Sequence, residues 1–107
     1  VIKYRHLSAL HGHEYRFSIS NPVNPARGIF LRTHHSTIAG HFHQTSEHSE
    51  PTLGGDLITC WSTGCLCGLH PEYMPLNKWN HGFGWLRGME DEYWRVENKK
   101  IIDGKIV

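Results

Sequence analysis

Two short apolar segments, each followed at once by a histidine motif, constrain the fold of this chain more than any other feature. Residues 1–10 are rich in apolar side chains and lead into His11-Gly12-His13. Residues 37–39 form a second apolar segment, which leads into Gly40-His41-Phe42-His43. We predict that both segments are strands, so that the histidines lie at carboxyl ends of strands. Ligands bind at that edge of open α/β sheets.

A short helix is predicted between the two strands. Asn24 is a good N-cap residue, and Pro25 suits the first helical position because its fixed φ is already helical. The predicted helix spans residues 26–32, where Ile29 and its neighbours give one apolar side. Further strands are predicted at residues 44–52, 57–61, 84–89 and 93–97, with hairpin turns at Gly54-Gly55 and Asp103-Gly104. The pattern indicates a β-rich α/β fold.

The composition is that of a globular domain without a strong charge bias. The 107 residues are 38% hydrophobic and 20% charged, and the net charge is +1 with neutral histidines. This length allows one domain, and the charge gives no electrostatic case for binding nucleic acid or a membrane surface. No apolar run approaches the ~20 residues that span a bilayer, so no membrane association is expected.

The number of cysteines indicates a cellular compartment, and the first residue indicates whether the domain is whole. Three cysteines are an odd number for a disulfide framework, so a reducing, cytoplasmic location is expected. The chain begins at Val1, and its first segment is typical of the interior of a domain. We therefore interpret residues 1–107 as a single partial domain.

Ten histidines in one chain raise the question of a metal site. Neutral imidazole is a common ligand of zinc, manganese and iron. His41 and His43, placed after Gly40, can bind one ion or two adjacent ions, and Gly40 is expected to allow a close backbone approach or a positive φ. The alternative is a polar turn with solvated histidines. The second cluster at residues 11–13 favours the metal interpretation.

A family resemblance follows from these motifs. The segments LHGHEY (residues 10–15) and IAGHFHQ (residues 38–44) resemble the C-terminal half of the calcineurin-like metallophosphoesterases. In that superfamily a strand ending in HGH is followed by a helix and by a strand ending in GH-x-H. The segment WSTGCLCGLHPEYMPLNKWNHGFGWL (residues 61–86) is similar to phage and bacterial members. The resemblance implies the C-terminal part of a two-sheet sandwich flanked by helices.

The resemblance also implies a set of ligands and a reaction. By analogy, His11 and His41 would bind one metal ion, His43 would bind the other, and His13 would orient the loop or contact substrate phosphate. Two divalent ions of the manganese, iron, zinc or nickel type would hold the hydroxide that hydrolyses a phosphoester. The substrate stays open among nucleotides, nucleic acid, phosphoproteins and small diesters, and no catalytic side chain is assigned.

The sequence departs from the family in one large respect. The family's D-x-H, G-D-x-x-D and G-N-H-[DE] motifs, which supply carboxylate and Asn ligands and a histidine for the leaving group, do not occur here. Gly55-Asp56 is not followed by the second aspartate of G-D-x-x-D. Asn80-His81 has neither the glycine before it nor the acidic residue after it that G-N-H-[DE] requires. The isolated chain is therefore expected to bind metal weakly and to be inactive. The alternative function is a non-catalytic fragment that binds a metal ion or a protein partner.

Two other groups of residues are candidate functional sites. Cys60, Cys65, Cys67 and His70 form C-x4-C-x-C-x2-H, but C-x-C is tighter than the usual zinc knuckle, so packed or loop thiols are favoured. A nucleophilic pair of Cys65 or Cys67 with His70 or His81 stays open, although nothing in the sequence selects it. The tryptophans are predicted to pack in the core and loops rather than to stack on bases, since no basic stripe accompanies them.

Overall fold

Two β-sheets and one helix form the parts of the chain that the computed structural model describes, which are residues 2–4, 6–12, 24–72, 77–89 and 94–107. The elements are β1 (Ile2–Tyr4), β2 (Leu7–Leu10), α1 (Pro25–Thr33), β3 (Thr37–Ala39), β4 (Ser46–Pro51), β5 (Leu57–Ser62), β6 (Gly82–Gly88), β7 (Trp94–Ile102) and β8 (Lys105–Ile106). Within these ranges, α1 is neither long nor apolar enough to cross a membrane. The prediction of a β-rich α/β fold is confirmed.

The first sheet has the strand order β1-β2-β3-β5-β4. Strands β2, β3 and β5 are parallel, whereas β1 and β4 are antiparallel edge strands. Leu10 pairs with Ala39, and Ala39 pairs with Ser62, so the three parallel strands end in line. The chain leaves all three strands at one edge of the sheet, and this carboxyl edge carries the histidine motifs.

Helix α1 forms where the capping residues predict it. The Asn24 side chain accepts a hydrogen bond from the Arg27 backbone N–H at 3.3 Å, and Pro25 occupies the first turn. The helix ends at His34, which adopts a left-handed φ of 50° and donates its N–H to the Phe30 carbonyl. The helix therefore extends one residue beyond the predicted range at each end.

The first sheet is sandwiched between the helix and the second sheet. On one face, Ile29 and Phe30 of α1 pack against Ala39 and Cys60. On the other face, Ile38 belongs to a cluster that includes residues of β6 and β7. The cluster comprises the buried Leu7, Ile38 and Trp61 with the partly buried Ala9, Leu86, Trp94 and Val96. Successive side chains of a strand point to opposite faces of its sheet, so Ile38 and Ala39 of β3 belong to the two different clusters.

The second sheet is an antiparallel meander of β6, β7 and β8. Asp103 and Gly104 have φ values of 52° and 76°, the positive pair that a type I′ turn requires, which confirms the predicted Asp-Gly hairpin. Asn98 on β7 connects the sheets, because its side-chain Nδ2 donates to the Ser62 carbonyl at 2.8 Å and to the Ser46 carbonyl at 3.3 Å.

Several strand predictions differ from the structure in their extent, and the strand expected over residues 93–97 continues to Ile102 as β7. The single strand expected over residues 1–10 is a hairpin, because Ile2–Tyr4 pairs antiparallel with residues 7–9 of β2. The strand expected from residue 44 begins at Ser46, because the Thr45 N–H donates to the Asn80 side chain at 2.7 Å and not to a strand.

Candidate metal centre

The carboxyl edge of the first sheet brings together three loops. His11 follows β2, His41 and His43 follow β3, and residues 63–67 follow β5. The Thr63 N–H donates to the Ala39 carbonyl at 3.0 Å, which continues the β3–β5 pairing past the end of the strand. The predicted placement of the histidines at strand ends is confirmed for His11, His41 and His43. His13 lies outside the described residues.

His11 and His41 lie side by side at this edge. Their ring centroids are 4.9 Å apart with an interplanar angle of 67°, and both side chains are exposed. Gly12 makes the approach possible: it has a φ of 113°, and a Cβ on it would lie 2.8 Å from the Cβ of His41. The expectation that Gly40 fulfils this role is wrong, since a Cβ there would make only an ordinary contact, 3.7 Å from the Thr63 hydroxyl.

The backbone of the GH-x-H loop is strained. His41 and His43 have φ values of 62° and 60°, in the left-handed region that residues with a Cβ rarely adopt. The Phe42 N–H donates to the Gly40 carbonyl at 2.6 Å, which closes a three-residue turn around His41. Residues held in this region cost of order 1–3 kcal/mol each and cluster at functional sites.

His43 contacts a different set of side chains from His41. Its ring lies 4.3 Å from that of Trp79, and its Nδ1 is 4.0 Å from the Cys67 Sγ. Burial, followed by the charge of His11, lowers the pKa of His43 from its ordinary value. The imidazole is therefore neutral near pH 7, which is the form that binds metal ions.

Cys65 and Cys67 complete a three-residue group with His43. One ligand atom from each of the three residues lies within 4.8 Å of the other two, and no other group of three or more potential ligands occurs in the described part of the chain. Cys65 is buried and Cys67 is exposed. Burial, and then interactions with Cys67, raise the pKa of the Cys65 thiol.

Residues 80–82 hold the two ligand-bearing loops in place. Asn80 donates its N–H to the His43 carbonyl at 2.8 Å and accepts from the Cys65 N–H at 2.9 Å. The Cys65 carbonyl in turn accepts from Gly82 at 3.0 Å, and the His81 Nε2 lies 2.8 Å from the Cys67 carbonyl. A Cβ on Gly64 would lie 2.6 Å from the Asn80 carbonyl, so only glycine allows this approach.

The ligand set considered from the spacing of the cysteines differs from the group in the structure. Cys60 packs beneath α1, where its thiol donates to the His35 carbonyl at 3.2 Å, and neither Cys60 nor His70 belongs to the group. Cys65 is a buried thiol and Cys67 an exposed one, which agrees with the interpretation as packed or loop thiols. Both lie close to His43, which is 24 positions before Cys67. The C-x-C motif is the sequence feature that indicates this group. Its third member, His43, follows β3, whereas the two cysteines follow β5.

The tryptophans pack largely as predicted. Trp61 is buried and lies 5.6 Å from Trp94, ring centroid to ring centroid, between the two sheets. Trp79 contacts His43 in the loop region. Trp85 differs, because 56% of its surface is exposed.

Comparisons with known proteins identify no relative of this chain. No family model matches its sequence. No curated protein and no solved structure matches it either. A functional assignment therefore depends on the residues of the carboxyl edge and their geometry.

Proposed function

We propose that this chain supplies the histidine ligands of a dinuclear metal centre that hydrolyses phosphoesters. The observation that carries the proposal is the contact between His11 and His41 at the ends of two adjacent parallel strands. The sequence motifs around these residues resemble those of the calcineurin-like metallophosphoesterases. The expected sandwich of that superfamily is compatible with a helix and a second sheet on opposite faces of the first sheet.

The geometry of His11 and His41 fits two ligands of one ion. Two imidazoles bound through nitrogen at ~2.1 Å, with ligand angles of roughly 90–110°, place their ring centroids roughly 5 Å apart. The separation of the two ring centroids in the structure is 4.9 Å. Both rings are exposed, so an ion and a substrate can reach them.

His43 is proposed as a ligand of the second ion. It contacts Trp79 and Cys67. His41 instead contacts His11 and Phe42, so the two histidines of GH-x-H have different neighbours. Its neutral imidazole needs no deprotonation before it binds a metal ion. His13, which lies outside the described residues, keeps its proposed role of orienting the loop or contacting substrate phosphate.

The residues of this chain would position the two ions, and the ions would supply the catalytic charge. Two divalent ions of the manganese, iron, zinc or nickel type activate water at neutral pH and stabilise the charge that develops on phosphoryl oxygens. His11, His41 and His43 would fix where that charge is stabilised, and the strained GH-x-H loop would hold the two histidines apart.

Histidines alone do not balance the charge of two dications. The proposal therefore requires carboxylate ligands of the D-x-H and G-D-x-x-D type from an additional segment or from a partner chain. The 107 residues alone are expected to be inactive. The substrate class is a phosphoester, and nucleotides, nucleic acid and phosphoproteins remain candidates.

Hydrolysis of bis(p-nitrophenyl) phosphate with Mn²⁺ tests this proposal in the longest natural protein that contains this chain. His41→Ala is expected to abolish the activity, because it removes a ligand of the first ion. His35→Ala is the matched control, since His35 is an exposed histidine beyond the helix end. Equal activity of the His41→Ala variant and the unmodified protein would overturn the ligand assignment.

A non-catalytic metal-binding module is the second candidate function. The group of His43, Cys65 and Cys67 favours it, because thiolates are characteristic of structural zinc sites. In that case the longer protein would bind zinc and would lack hydrolytic activity in the assay above.

A further inference from the structure

The group formed by His43, Cys65 and Cys67 has the composition of a zinc site. We propose that these three residues bind one Zn²⁺ ion through one imidazole nitrogen and two thiolates. The inference deepens the second candidate function by naming its metal ion and its ligands, and it stands without the phosphoesterase proposal, although both assign a metal to His43. It adds two ligands that the family resemblance does not supply.

The distances are close to those of a bound site. The three ligand atoms lie within 4.8 Å of one another, and the Cys67 Sγ is 4.0 Å from the His43 Nδ1. Around a tetrahedral zinc ion, with bonds of ~2.3 Å to sulfur and ~2.1 Å to nitrogen, the ligand atoms are roughly 3.6 Å apart. A contraction of a few tenths of an ångström between Cys67 and His43 therefore brings this pair into coordination.

The donor atoms select the metal. Two thiolates and one imidazole are soft to borderline ligands, which favour zinc over manganese or magnesium. Zinc binding displaces the thiol protons, so the two cysteines become anions and neutralise the charge of the dication. Three protein ligands leave a fourth position for water or for another ligand.

Backbone hydrogen bonds already order the ligand loops. Asn80 bonds to the backbone of both His43 and Cys65, and its side chain bonds to Thr45 at 2.7 Å. His81 bonds to the backbone carbonyl of Cys67. Because these contacts do not involve the three ligand atoms, zinc can bind without breaking them. Partners beyond the ligands commonly set metal affinity in this way.

Titration of the reduced chain with Co²⁺ tests the site, since cobalt reports on thiolate ligands in its absorption spectrum. We expect tetrahedral d–d bands and sulfur-to-cobalt charge-transfer bands that disappear when Zn²⁺ is added. Cys67→Ser and His43→Ala are expected to weaken cobalt binding by more than about 100-fold, beyond the effect of losing an outer partner. Cys60→Ala is the matched control, because Cys60 lies beneath α1, and it should retain the bands.

Alkylation of the unmodified chain provides a second test that does not depend on the folding of a variant. Zn²⁺ is expected to slow the reaction of iodoacetamide with Cys67, which is exposed, and to leave the labelling of Cys60 unchanged. A cobalt affinity that Cys67→Ser leaves unchanged, or labelling of Cys67 that zinc does not slow, would overturn the inference.

The two proposals fail in different experiments. His41→Ala should keep the thiolate bands while it abolishes hydrolysis, since His41 is not a member of the His43–Cys65–Cys67 group. Hydrolysis without thiolate bands would contradict only the zinc site. Thiolate bands in a longer protein that has no hydrolytic activity would contradict only the phosphoesterase proposal.

Discussion

The backbone N–H of Asn80 donates a hydrogen bond to the carbonyl oxygen of His43 at 2.8 Å. The carbonyl of the same residue accepts from the N–H of Cys65 at 2.9 Å. One residue thus joins the loop after β3 to the loop after β5, although 37 positions separate Asn80 from His43 in the numbering. The His43–Cys65–Cys67 group depends on this junction, because nothing local in the sequence places His43 beside the two cysteines.

Removal of the Asn80 side chain should loosen that junction. The Asn80 Oδ1 accepts from the Thr45 N–H and its Nδ2 donates to the Thr45 hydroxyl, both at 2.7 Å. We expect Asn80→Ala to lower the free energy of unfolding by about 1–3 kcal/mol, since it leaves partly buried groups unpaired. Zinc affinity should fall about 10–100-fold. Urea denaturation and competition with a zinc chelator measure the two effects.

Asn80→Asp is the matched control for this prediction. It keeps an oxygen that accepts from Thr45 but loses the amide donor, so its losses of stability and zinc affinity should be smaller than those of Asn80→Ala. Wild-type zinc affinity in a folded Asn80→Ala variant would show that the junction does not order the ligands.

A second prediction concerns Gly12, which lies between the two histidines of the HGH motif. Gly12→Ala places a Cβ 2.8 Å from the Cβ of His41 and forces alanine to adopt a φ of 113°. Gly55→Ala is a matched control, because Gly55 has a φ of 93° and nothing within 4 Å of an added Cβ. Both variants carry backbone strain, and only Gly12→Ala adds a clash.

We expect Gly12→Ala to lose at least about 1 kcal/mol more stability than Gly55→Ala, since inserting a methyl group into a tight contact typically costs 1–3 kcal/mol. Thermal unfolding of the two variants measures the difference. Equal losses would mean that the loop moves away freely and that the contact of His11 with His41 does not depend on glycine.

A third prediction concerns Asn98, whose side chain connects the two sheets. Its Nδ2 donates to the carbonyls of Ser46 and Ser62, while its Oδ1 is buried and has no hydrogen-bond partner among the described residues. Asn98→Ala should lower the free energy of unfolding by about 1–3 kcal/mol, because the two carbonyls lose their donor.

Ser49→Ala provides the comparison for Asn98→Ala. It removes an exposed hydrogen bond between the hydroxyls of Ser49 and Thr59, so stability should change by less than about 0.5 kcal/mol. Chemical denaturation of both variants tests the difference. A loss for Asn98→Ala as small as that for Ser49→Ala would indicate that the sheets do not depend on this link.

The sequence predicts local structure well where backbone chemistry decides it. Asn24 and Pro25 mark the start of α1 because one caps the first turn and the other has a fixed helical φ. Asp103-Gly104 marks its hairpin because the turn requires two positive φ values. The strand ends that carry His11 and His41 are also predictable, since apolar segments stop there.

The contacts between distant segments are not predictable from local patterns. Cys67 meets His43 only because β3 pairs with β5 and residues 80–82 join the two following loops. Gly12 rather than Gly40 accommodates the close approach, because that depends on where the side chain of His41 lies in space. Strand pairing therefore decides the site, and sequence spacing alone gives an incomplete ligand set.

A last prediction follows from the burial of Cys60. Burial raises the pKa of its thiol. Hydrogen bonding with the Thr37 backbone and the Thr33 side chain lowers the pKa by a smaller amount. As pH rises above about 8.5, the ordinary thiol pKa, the unfolded chain loses this proton while the folded chain keeps it. The folded state then binds more protons, so the free energy of unfolding falls as pH rises.

Urea denaturation between about pH 7.5 and about pH 10, with a chelator present, measures this dependence across the ordinary thiol pKa. Cys60→Ala should be less stable than the unmodified chain near neutral pH, because it leaves a small cavity beneath α1. Its stability should nevertheless decline less steeply above about pH 8.5, since one titrating thiol is gone. Cys65, whose pKa is also raised by burial, contributes the same decline to both proteins and does not affect the comparison. Parallel pH profiles for the two proteins would contradict the prediction and would mean that Cys60 ionises equally in the folded and unfolded states.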